Sequence, residues 1–407
     1  MKALVLCGGI PQIALIKDLK NRGITTILAD MNENVGARAY ADKFYPVSVL
    51  DIEAVKNLAI LEKVDFLITV CADQVLQVVA QISEELGLPC YIDFETAVNV
   101  SKKSYMKEIF AKNNIPSSKH VIMESFDESK IKELNYPLIV KPVDAYSSRG
   151  VRKVNTLEET IEAFEVAKEI SRTHTAIVEE FVTGDELTVD VYIEQGQAHV
   201  LCISKLDKIG EDGKFIIHRS QNPADITADI ENQIKDSAQK IAEAFGLKNT
   251  PMLIQLITNK EKISIVEFCA RTGGGIKFDM IKKVSGFDVV KAVVDLTLGL
   301  KPHVEKTSAE PKFIINQFLY CNAGVLDHLE GFEELLAEGV IVDYRQFKPS
   351  GAEFKQINSS GDRVAYFSVE GKTRAEAREK HLVASQRVKA ISASGHDLIR
   401  HDILEKF

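Results

Sequence analysis

The first thirty residues constrain the fold most strongly, because short apolar runs alternate there with a glycine turn and a helical pattern. The pattern runs strand, glycine pair, helix and strand at residues 3–7, 8–9, 12–22 and 25–29. This order predicts a strand–helix–strand unit. Further strand patterns at 66–70 and 90–92, separated by a helical pattern at 74–86, extend it to a doubly wound α/β sheet.

The glycine pair raises the alternative of a dinucleotide site, since an acidic residue, Asp30, follows the second strand. The spacing is incomplete, because Gly8-Gly9-Ile10-Pro11-Gln12 contains no third glycine. We therefore interpret Gly8 and Gly9 as a tight strand-to-helix turn and not as an NAD site.

The rest of the chain predicts at least one more folding unit. At 407 residues it exceeds a single core, because domains average about 100–200 residues. A helical pattern from residue 101 stops at Ile115, because the residue before Pro116 is pushed out of the helical region. Alternating strand and helix patterns then continue, and polar residues 302–311 have the composition of a linker. A helical pattern at 374–391 is expected to close the last unit.

Two lysines occupy positions that favour an anionic partner. Lys103 begins a predicted helix, where a cation opposes the helix dipole unless it is solvated or paired with an anion. Lys141 ends the apolar run 138–141, and an unpaired ammonium at the end of a buried strand is costly. The loop 147–150 offers N–H groups and hydroxyls that suit phosphate oxygens. A solvated lysine and an ordinary turn with a surface arginine remain the alternatives.

Two acidic stretches follow. Residues 177–186 predict a strand that runs into a turn, whose backbone suits an adenine edge and whose Glu186 suits ribose hydroxyls. A solvated acidic hairpin is the alternative. An apolar strand then ends in Glu267, followed by Arg271 and three glycines. A hard cation prefers carboxylate oxygen and an oxyanion prefers guanidinium, so this stretch favours a functional site over a structural salt bridge.

In this order, the four stretches resemble the ATP-grasp superfamily, the fold of biotin carboxylase, D-alanine–D-alanine ligase, glycinamide ribonucleotide synthetase, carbamoyl phosphate synthetase and the L-amino acid ligases. The resemblance spans essentially the whole chain. It implies a mixed α/β and α+β fold in three parts: a Rossmann-like pre-ATP-grasp domain at 1–100, an ATP-grasp domain at 101–310 and a small C-terminal α+β domain at 311–407. The ATP-grasp domain divides into a lid lobe at about 115–185 and a central lobe at about 186–310.

The resemblance also implies roles for individual residues. The implied ATP contacts are Lys103 and Lys141 for the phosphates, Ser147, Ser148, Arg149 and Gly150 for a mobile loop over them, Glu179, Glu180 and Val182 for the hinge backbone at adenine, and Glu186 for ribose. Glu267 matches the ligand of Mg²⁺ or Mn²⁺, and Gln255 takes the place of a first acidic ligand. The family's Glu-x-Asn motif ends here in Cys269, a soft thiol that magnesium should ignore.

The remaining implied roles concern the reacting groups. Arg271 would stabilise an oxyanion or acyl phosphate, with Lys141 as the second catalytic cation. Gly273, Gly274 and Gly275 would lie beside the substrate. His218 is a candidate substrate contact, and Lys205 and Arg219 lie in the same segment.

The function that the resemblance implies is an ATP-dependent carbon–nitrogen ligase of the carboxylate–amine class. It would join a small carboxylate, with amino acids among the candidates, to an amine through an acyl phosphate, releasing ADP and phosphate. Two alternatives stay open: a purine-pathway or carbamoyl-phosphate-type ligase, and a non-catalytic nucleotide-binding homologue.

Composition excludes other classes of partner. Fifty Lys and Arg against 59 Asp and Glu give a net charge of −9, so neither nucleic acid nor a membrane surface is expected as a partner. The six cysteines lack metal-site spacing, and no run suits a signal peptide or membrane span. We expect a cytoplasmic protein whose partners are small-molecule substrates, with a homodimer as the expected assembly if it follows its relatives.

Overall fold

The N-terminal domain is a four-stranded parallel sheet with helices on both faces. The computed structural model describes residues 1–145, 149–209, 215–305 and 312–404. The elements of this domain are β1 (Lys2–Leu6), α1 (Ile10–Asn21), β2 (Thr25–Ala29), β3 (Lys43–Tyr45), α2 (Ile52–Glu62), β4 (Phe66–Ile68), α3 (Asp73–Leu86) and α4 (Phe94–Asn99), with a 3₁₀ turn at Gly36–Tyr40. The strand order is β3-β2-β1-β4. This confirms the predicted strand–helix–strand unit.

The predicted strand at 90–92 is wrong, because no strand forms there. Ile92 is buried in the hydrophobic core of the central lobe, and the hydroxyl of Tyr91 donates to the carbonyl of Ala270 at 3.3 Å. The apolar character of this segment therefore reflects its packing between domains and not strand pairing.

The lid lobe is a separate four-stranded antiparallel sheet covered by one long helix. Its elements, with the helix that leads into it, are α5 (Lys103–Lys112), β5 (His120–Met123), α6 (Glu128–Ile131), β6 (Leu138–Pro142), β7 (Arg152–Val154), α7 (Leu157–Ile170) and β8 (Ala176–Glu180). The strand order is β5-β8-β6-β7. Thr156 caps α7 by accepting from the N–H of Glu159, as its position before an amphipathic run predicts.

The central lobe contributes five strands to a sheet of eight. Its elements are β9 (Asp185–Glu194), β10 (Gln197–Ile209), β11 (Ile216–Asn222), α8 (Ala228–Ala244), β12 (Thr250–Thr258), β13 (Ile263–Cys269), α9 (Lys277–Ser285) and α10 (Val289–Thr297). The order β13-β12-β9-β10-β11 then continues into β14, β18 and β16 of the C-terminal part. One antiparallel sheet therefore crosses the expected boundary between central lobe and C-terminal domain.

The C-terminal part also has its own core and a small second sheet. Its elements are β14 (Phe313–Leu319), β15 (Gly324–Glu330), α11 (Phe332–Ala337), β16 (Asp343–Gln346), β17 (Glu353–Phe354), β18 (Ala365–Gly371), α12 (Arg374–Arg387), β19 (Lys389–Ser392) and α13 (His401–Leu404), with a 3₁₀ turn at Ser360–Asp362. The second sheet has the order β17-β15-β19. The helical pattern expected to run from 374 to 391 ends earlier, because its last residues pair as β19 with β15.

Candidate active site

A cavity of about 240 Å³ lies between the sheet of the lid lobe and that of the central lobe. It brings together eight of the residues singled out in the sequence, and Arg271 and the glycines after it do not line it. Its lining is Lys103, Ser118, Ile139, Lys141, Ala145, Val151, Glu179, Glu180, Phe181, Val182, Glu186, Lys208, Phe215, Ile217, Gln255, Ile257, Ser264, Val266, Glu267 and Ser360. Apolar walls with a few convergent charges are typical of a small-molecule site.

A buried ion cluster forms the lid side of this cavity. The carboxylate of Glu179 is bound by the ammonium of Lys141, and its Oε2 lies 3.0 Å from Nζ of Lys107. The hydroxyl of Ser118 also donates to Oε2 at 2.8 Å. Burial opposes ionisation of Glu179, but the two lysines outweigh it and hold the pKa of this carboxyl well below its usual range.

The cluster adds a residue that the sequence did not single out. Lys107 is 2% exposed, and burial lowers the pKa of its ammonium although Glu179 offsets part of that effect. It lies one helical turn after Lys103, and this spacing on α5 was the signal that could have identified it. Two lysines sharing one carboxylate leave an excess of positive charge beside the cavity.

The hinge between the lobes presents backbone to the cavity. Glu179 itself is paired within β8, whereas Phe181 donates its N–H to the carbonyl of Pro137 at 2.9 Å. Glu180 lines the cavity, its N–H donates to the carbonyl of Lys119 at 3.0 Å, and its side chain accepts from the N–H of Asn135 at 3.0 Å. Among the described residues, none accepts from the N–H of Val182. This N–H is therefore free to meet a ligand.

Glu186 and Gln255 lie side by side on the central sheet. Glu186 is bound by Lys208 and accepts a hydrogen bond from Nε2 of Gln255. Lys208, which lines the cavity from β10, is a second cation that the sequence did not single out. Lys208 alternates with apolar residues along β10. This pattern does not indicate its ion pair with Glu186, which lies 22 residues earlier in the chain.

Glu267 and Gln255 form the candidate metal ligands. They are paired in register across β12 and β13, so their side chains lie close together on one face. Because Nε2 of Gln255 donates to Glu186, its amide oxygen is the atom of this side chain that can act as a metal donor. Two oxygen donors, with phosphates and water completing the shell, suit Mg²⁺. Within the described residues, no group of three or more His, Cys, Asp or Glu forms a metal cluster.

Lys103 connects the metal side of the cavity to the lid loop. Its Nζ lies 3.3 Å from Oε2 of Glu267 and donates to the carbonyl of Ala145 at 2.7 Å. Lys103 and Lys141 thus line the same cavity from different elements. A phosphate chain placed between them would meet a cation on each side.

Arg271 is oriented by a carboxylate of the N-terminal domain. Its Nε donates to Oδ1 of Asp73 at 2.6 Å, and its Nη2 binds Oδ2. Burial alone would raise the pKa of Asp73, but Arg271 outweighs it and the pKa is lowered. Nη1 of Arg271 donates to the carbonyl of Thr272 at 2.7 Å. Asp73 stands at the first residue of α3, 198 residues away in the chain, and no local pattern links the two.

The thiol of Cys269 belongs to the same cluster. It contacts Asp73, and burial raises its pKa well above the usual value. A neutral, partly buried thiol that contacts a carboxylate is a poor ligand for magnesium. Glu267 and Gln255 are therefore the candidate oxygen donors among the three positions.

The glycine loop after Arg271 packs closely on the central sheet. A Cβ on Gly273 would lie 2.7 Å from Oδ1 of Asp190, so a side chain would not fit there. Asp190 is 2% exposed, and its Oδ2 lies 2.8 Å from Nζ of Lys277. Gly274 and Gly275 have open space around the Cβ position, which leaves room for a ligand.

Other expected site residues lie elsewhere. Ser147 and Ser148 fall outside the described residues. Arg149 lines a second cavity beside the first, and Gly150 has a φ of +74° and packs against Pro142. His218 is 4% exposed and its carbonyl accepts from Gln317 at 2.8 Å, so the structure places it in the interior next to the C-terminal part.

The two basic residues near His218 are likewise engaged in the sheet. Arg219 is 1% exposed and its Nε donates to Asp207 at 2.6 Å. Lys205 lies 2.7 Å from Asp185. None of these three residues lines the cavity between the lobes. In the described part of the chain, no helix is both long and apolar enough to cross a bilayer.

Comparison with known proteins gives two matched domains. Residues 134–279 match the ATP-grasp domain, and residues 317–391 match the L-amino acid ligase C-terminal domain 2. The formate-dependent phosphoribosylglycinamide formyltransferase of Methanocaldococcus jannaschii is 23% identical over 312 residues, which cover 74% of this chain and 78% of that protein. The alanine–anticapsin ligase of Bacillus subtilis is 26% identical over 269 residues, covering 59% and 56%.

Solved structures agree over nearly the whole chain. The L-amino acid ligase from Bacillus licheniformis superposes with a TM-score of 0.82 at 19% identity, covering 96% of this chain and 98% of that one. The phosphoribosylglycinamide synthetase from Anaerococcus prevotii gives a TM-score of 0.77 at 21% identity, covering 96% and 99%. At these identities the likeness shows the fold alone. The expected ATP-grasp fold is confirmed.

Proposed function

We propose that this ATP-grasp protein is an ATP-dependent ligase that joins a small carboxylate to an amine through an acyl phosphate. The observation that carries the proposal is the convergence of Lys103, Lys141 and Glu267 on one cavity between two lobes. The matched ATP-grasp domain and the ligases among the relatives support it.

The cavity has a complementary group for each part of a nucleotide. The free N–H of Val182 suits the adenine edge, and Glu186 suits the ribose hydroxyls once its bonds to Lys208 and Gln255 rearrange. Lys103 and Lys141 would bind the phosphates. Glu267 and Gln255 would hold Mg²⁺ or Mn²⁺, which supplies charge neutralisation of the phosphates when bound.

The first chemical step joins two anions, so the residues around them must supply positive charge. An oxygen of the substrate carboxylate would attack the γ-phosphorus of ATP, the bond from that phosphorus to the bridging oxygen would break, and ADP would leave. Lys103 and Lys141 would neutralise the charge on the transferred group. No side chain of the protein needs to act as a nucleophile.

In the second step an amine would attack the carbonyl carbon of the acyl phosphate. The carbon–oxygen bond to phosphate would break, the nitrogen would lose a proton, and phosphate would leave. Three of the five N–H donors of Arg271 are used by Asp73 and Thr272. The two that remain can bind the acyl phosphate or the oxyanion that forms on it.

A phosphorylated amine acceptor is the second candidate. It is favoured by the formyltransferase relative, which aligns with 74% of this chain, whereas the amino acid ligase kinship is favoured by the C-terminal match at 317–391. The two candidates share the nucleotide site and differ in the acceptor. A homodimer remains a prediction.

The test is substrate-dependent release of ADP with MgATP present. A panel would pair small carboxylates, from formate to the standard amino acids, with amino acids and phosphorylated amines as acceptors. We expect ADP to appear only when a carboxylate and an amine are both present, and Glu267→Gln to abolish it. If no pair stimulates ADP release although ATP binds, the non-catalytic homologue is the correct interpretation.

A further inference from the structure

A second cavity, of about 350 Å³, lies beside the nucleotide cavity between the first turn of α3 and the lid lobe. Ala145 borders both cavities, and its carbonyl accepts the hydrogen bond from Lys103 at 2.7 Å. The two cavities therefore adjoin at Ala145, beside Lys103, which also contacts Glu267 at 3.3 Å. A ligand in the second cavity would lie next to the side of the first that Lys103 lines.

The carboxylates that line this second cavity are already engaged. Asp73 is bound by two N–H groups of Arg271. Asp144 accepts through Oδ2 from the N–H of Arg172 at 3.0 Å and of Thr173 at 3.3 Å, and its Oδ1 is shielded from solvent. Arg271 thus neutralises Asp73, whereas Asp144 is bound by two backbone N–H groups through one oxygen and its other oxygen has no hydrogen-bond partner among the described residues.

The two guanidinium groups on the same cavity differ from the carboxylates. Arg149 and Arg172 are both exposed, and in the described ranges neither forms an ion pair with a carboxylate. The cavity therefore has two available guanidinium groups. A guanidinium binds a carboxylate or a phosphate through paired N–H groups, which makes it suited to a small anion.

We propose that this cavity binds an anionic group of the carboxylate substrate that is separate from the carboxylate to be phosphorylated, and that Arg172 and Arg149 select for it. The substrate class is a small dicarboxylate, such as an acidic amino acid. The proposal rests on the ligase function proposed above. ATP is not the occupant, because Arg172 does not line the nucleotide cavity, where Lys103 and Lys141 face the phosphates.

The test compares substrates that differ in one charge and little else. ADP release would be measured with glutamate against glutamine and aspartate against asparagine, in the wild type and in Arg172→Gln. Arg152→Gln is the matched control, because Arg152 is an exposed arginine of the same lobe that does not line the cavity. Binding of glutamate and glutamine in the presence of MgADP would be measured by calorimetry in parallel.

The wild type should prefer the acid of each pair, and Arg172→Gln should raise the KM or Kd of the acid by about tenfold or more while leaving its amide counterpart unchanged, because a charged hydrogen bond is worth about 1.5–3 kcal/mol. Equal effects on acid and amide, no effect, or a rise in the KM of ATP instead would overturn the subsite. Loss of ADP release with every pair, while calorimetry still shows charge-selective binding, would overturn the ligase function and leave the subsite standing.

Discussion

Two buried ion clusters flank the candidate site, and their charges are balanced differently. In the lid lobe, Lys141 and Lys107 share the single carboxylate of Glu179. Between the N-terminal domain and the glycine loop, Arg271 faces one carboxylate, Asp73, through two N–H groups. The first cluster has one cation in excess and the second is neutral. We infer that the excess cation serves to bind phosphate, whereas the matched pair serves to fix the direction of the guanidinium.

Arg271→Lys would break the matched pair and should have the largest effect. Lysine keeps the charge but cannot bind Asp73 through two N–H groups and still offer two more to an oxyanion. We expect kcat to fall by about 10²–10³-fold, the cost of losing an oxyanion donor. The measurement is steady-state ADP release with the best substrate pair. Arg22→Lys is the control, since Arg22 likewise pairs with carboxylates, Asp18 at 2.7 Å and Asp295 at 2.6 Å, but does not line either cavity. A kcat close to wild type for Arg271→Lys would contradict the assignment.

Lys141→Met and Lys107→Met would separate the two cations of the lid cluster. Lys141 lines the cavity, so its loss should raise the KM of ATP by about 10–100-fold, the value of one charge-assisted hydrogen bond. Lys107 does not line it, so its loss should act mainly on the free energy of unfolding, by about 3 kcal/mol. Urea unfolding and ATP kinetics on both variants make the comparison. The same ratio of effects in both variants would show that the cluster acts as one unit.

Asp73→Asn would test orientation without removing the arginine. The amide oxygen can still accept one hydrogen bond from Arg271. The amide N–H₂ replaces the second acceptor, so the second N–H donor of Arg271 loses its partner. We expect kcat to fall by about tenfold through misplacement of the guanidinium, while the KM of ATP stays constant. Asp295→Asn, which alters the equivalent contact of Arg22, is the matched control. A selective rise in the KM of ATP would instead place Asp73 in nucleotide binding.

The ion pair of Asp73 and Arg271 should also make the free energy of unfolding depend on pH, and this is the smallest effect that we expect. The folded-state pKa of Asp73 is lowered, so its contribution is complete above the unfolded pKa of about 3.9 and is lost as the pH falls through the folded value. The difference in unfolding free energy between wild type and Asp73→Asn should therefore be greatest near neutral pH and shrink in acid. Urea unfolding between pH 3 and 7 measures it. A constant difference would show that the carboxylate charge does not stabilise the fold.

Local patterns predicted much of the fold and part of the site. The N-terminal β1–α1–β2 unit and most strands of both lobes follow from apolar periodicity and from glycine and proline positions. The failures share a cause. Residues 90–92 are apolar because they pack between domains, and the end of the last long helix pairs instead as β19 with β15. Tertiary contacts decided both segments.

The residues of the candidate site likewise fall into two groups, those that local patterns predicted and those that only the structure showed. Lys103, Lys141, Glu186 and Glu267 were identified by type and order, and all four line one cavity. Lys107, Lys208 and Asp73 were missed, because each lies in a local pattern that a solvated residue would satisfy equally well. His218 and Arg219 lie in the interior next to Gln317 and Asp207, because β14 pairs with the strand that carries them.

The sequence by itself determined the order of the candidate functional residues along the chain. A strand–helix–strand unit is followed by two lysines, an acidic hinge and a strand that ends in Glu267, with Arg271 and three glycines after it. Only the tertiary structure decided which charges are paired and which remain available. Asp73 meets Arg271 across 198 residues, and Lys107 meets Glu179 from a different element. The physical reason is that periodicity reports which face of an element is buried, whereas the partner of a buried charge depends on how distant elements pack.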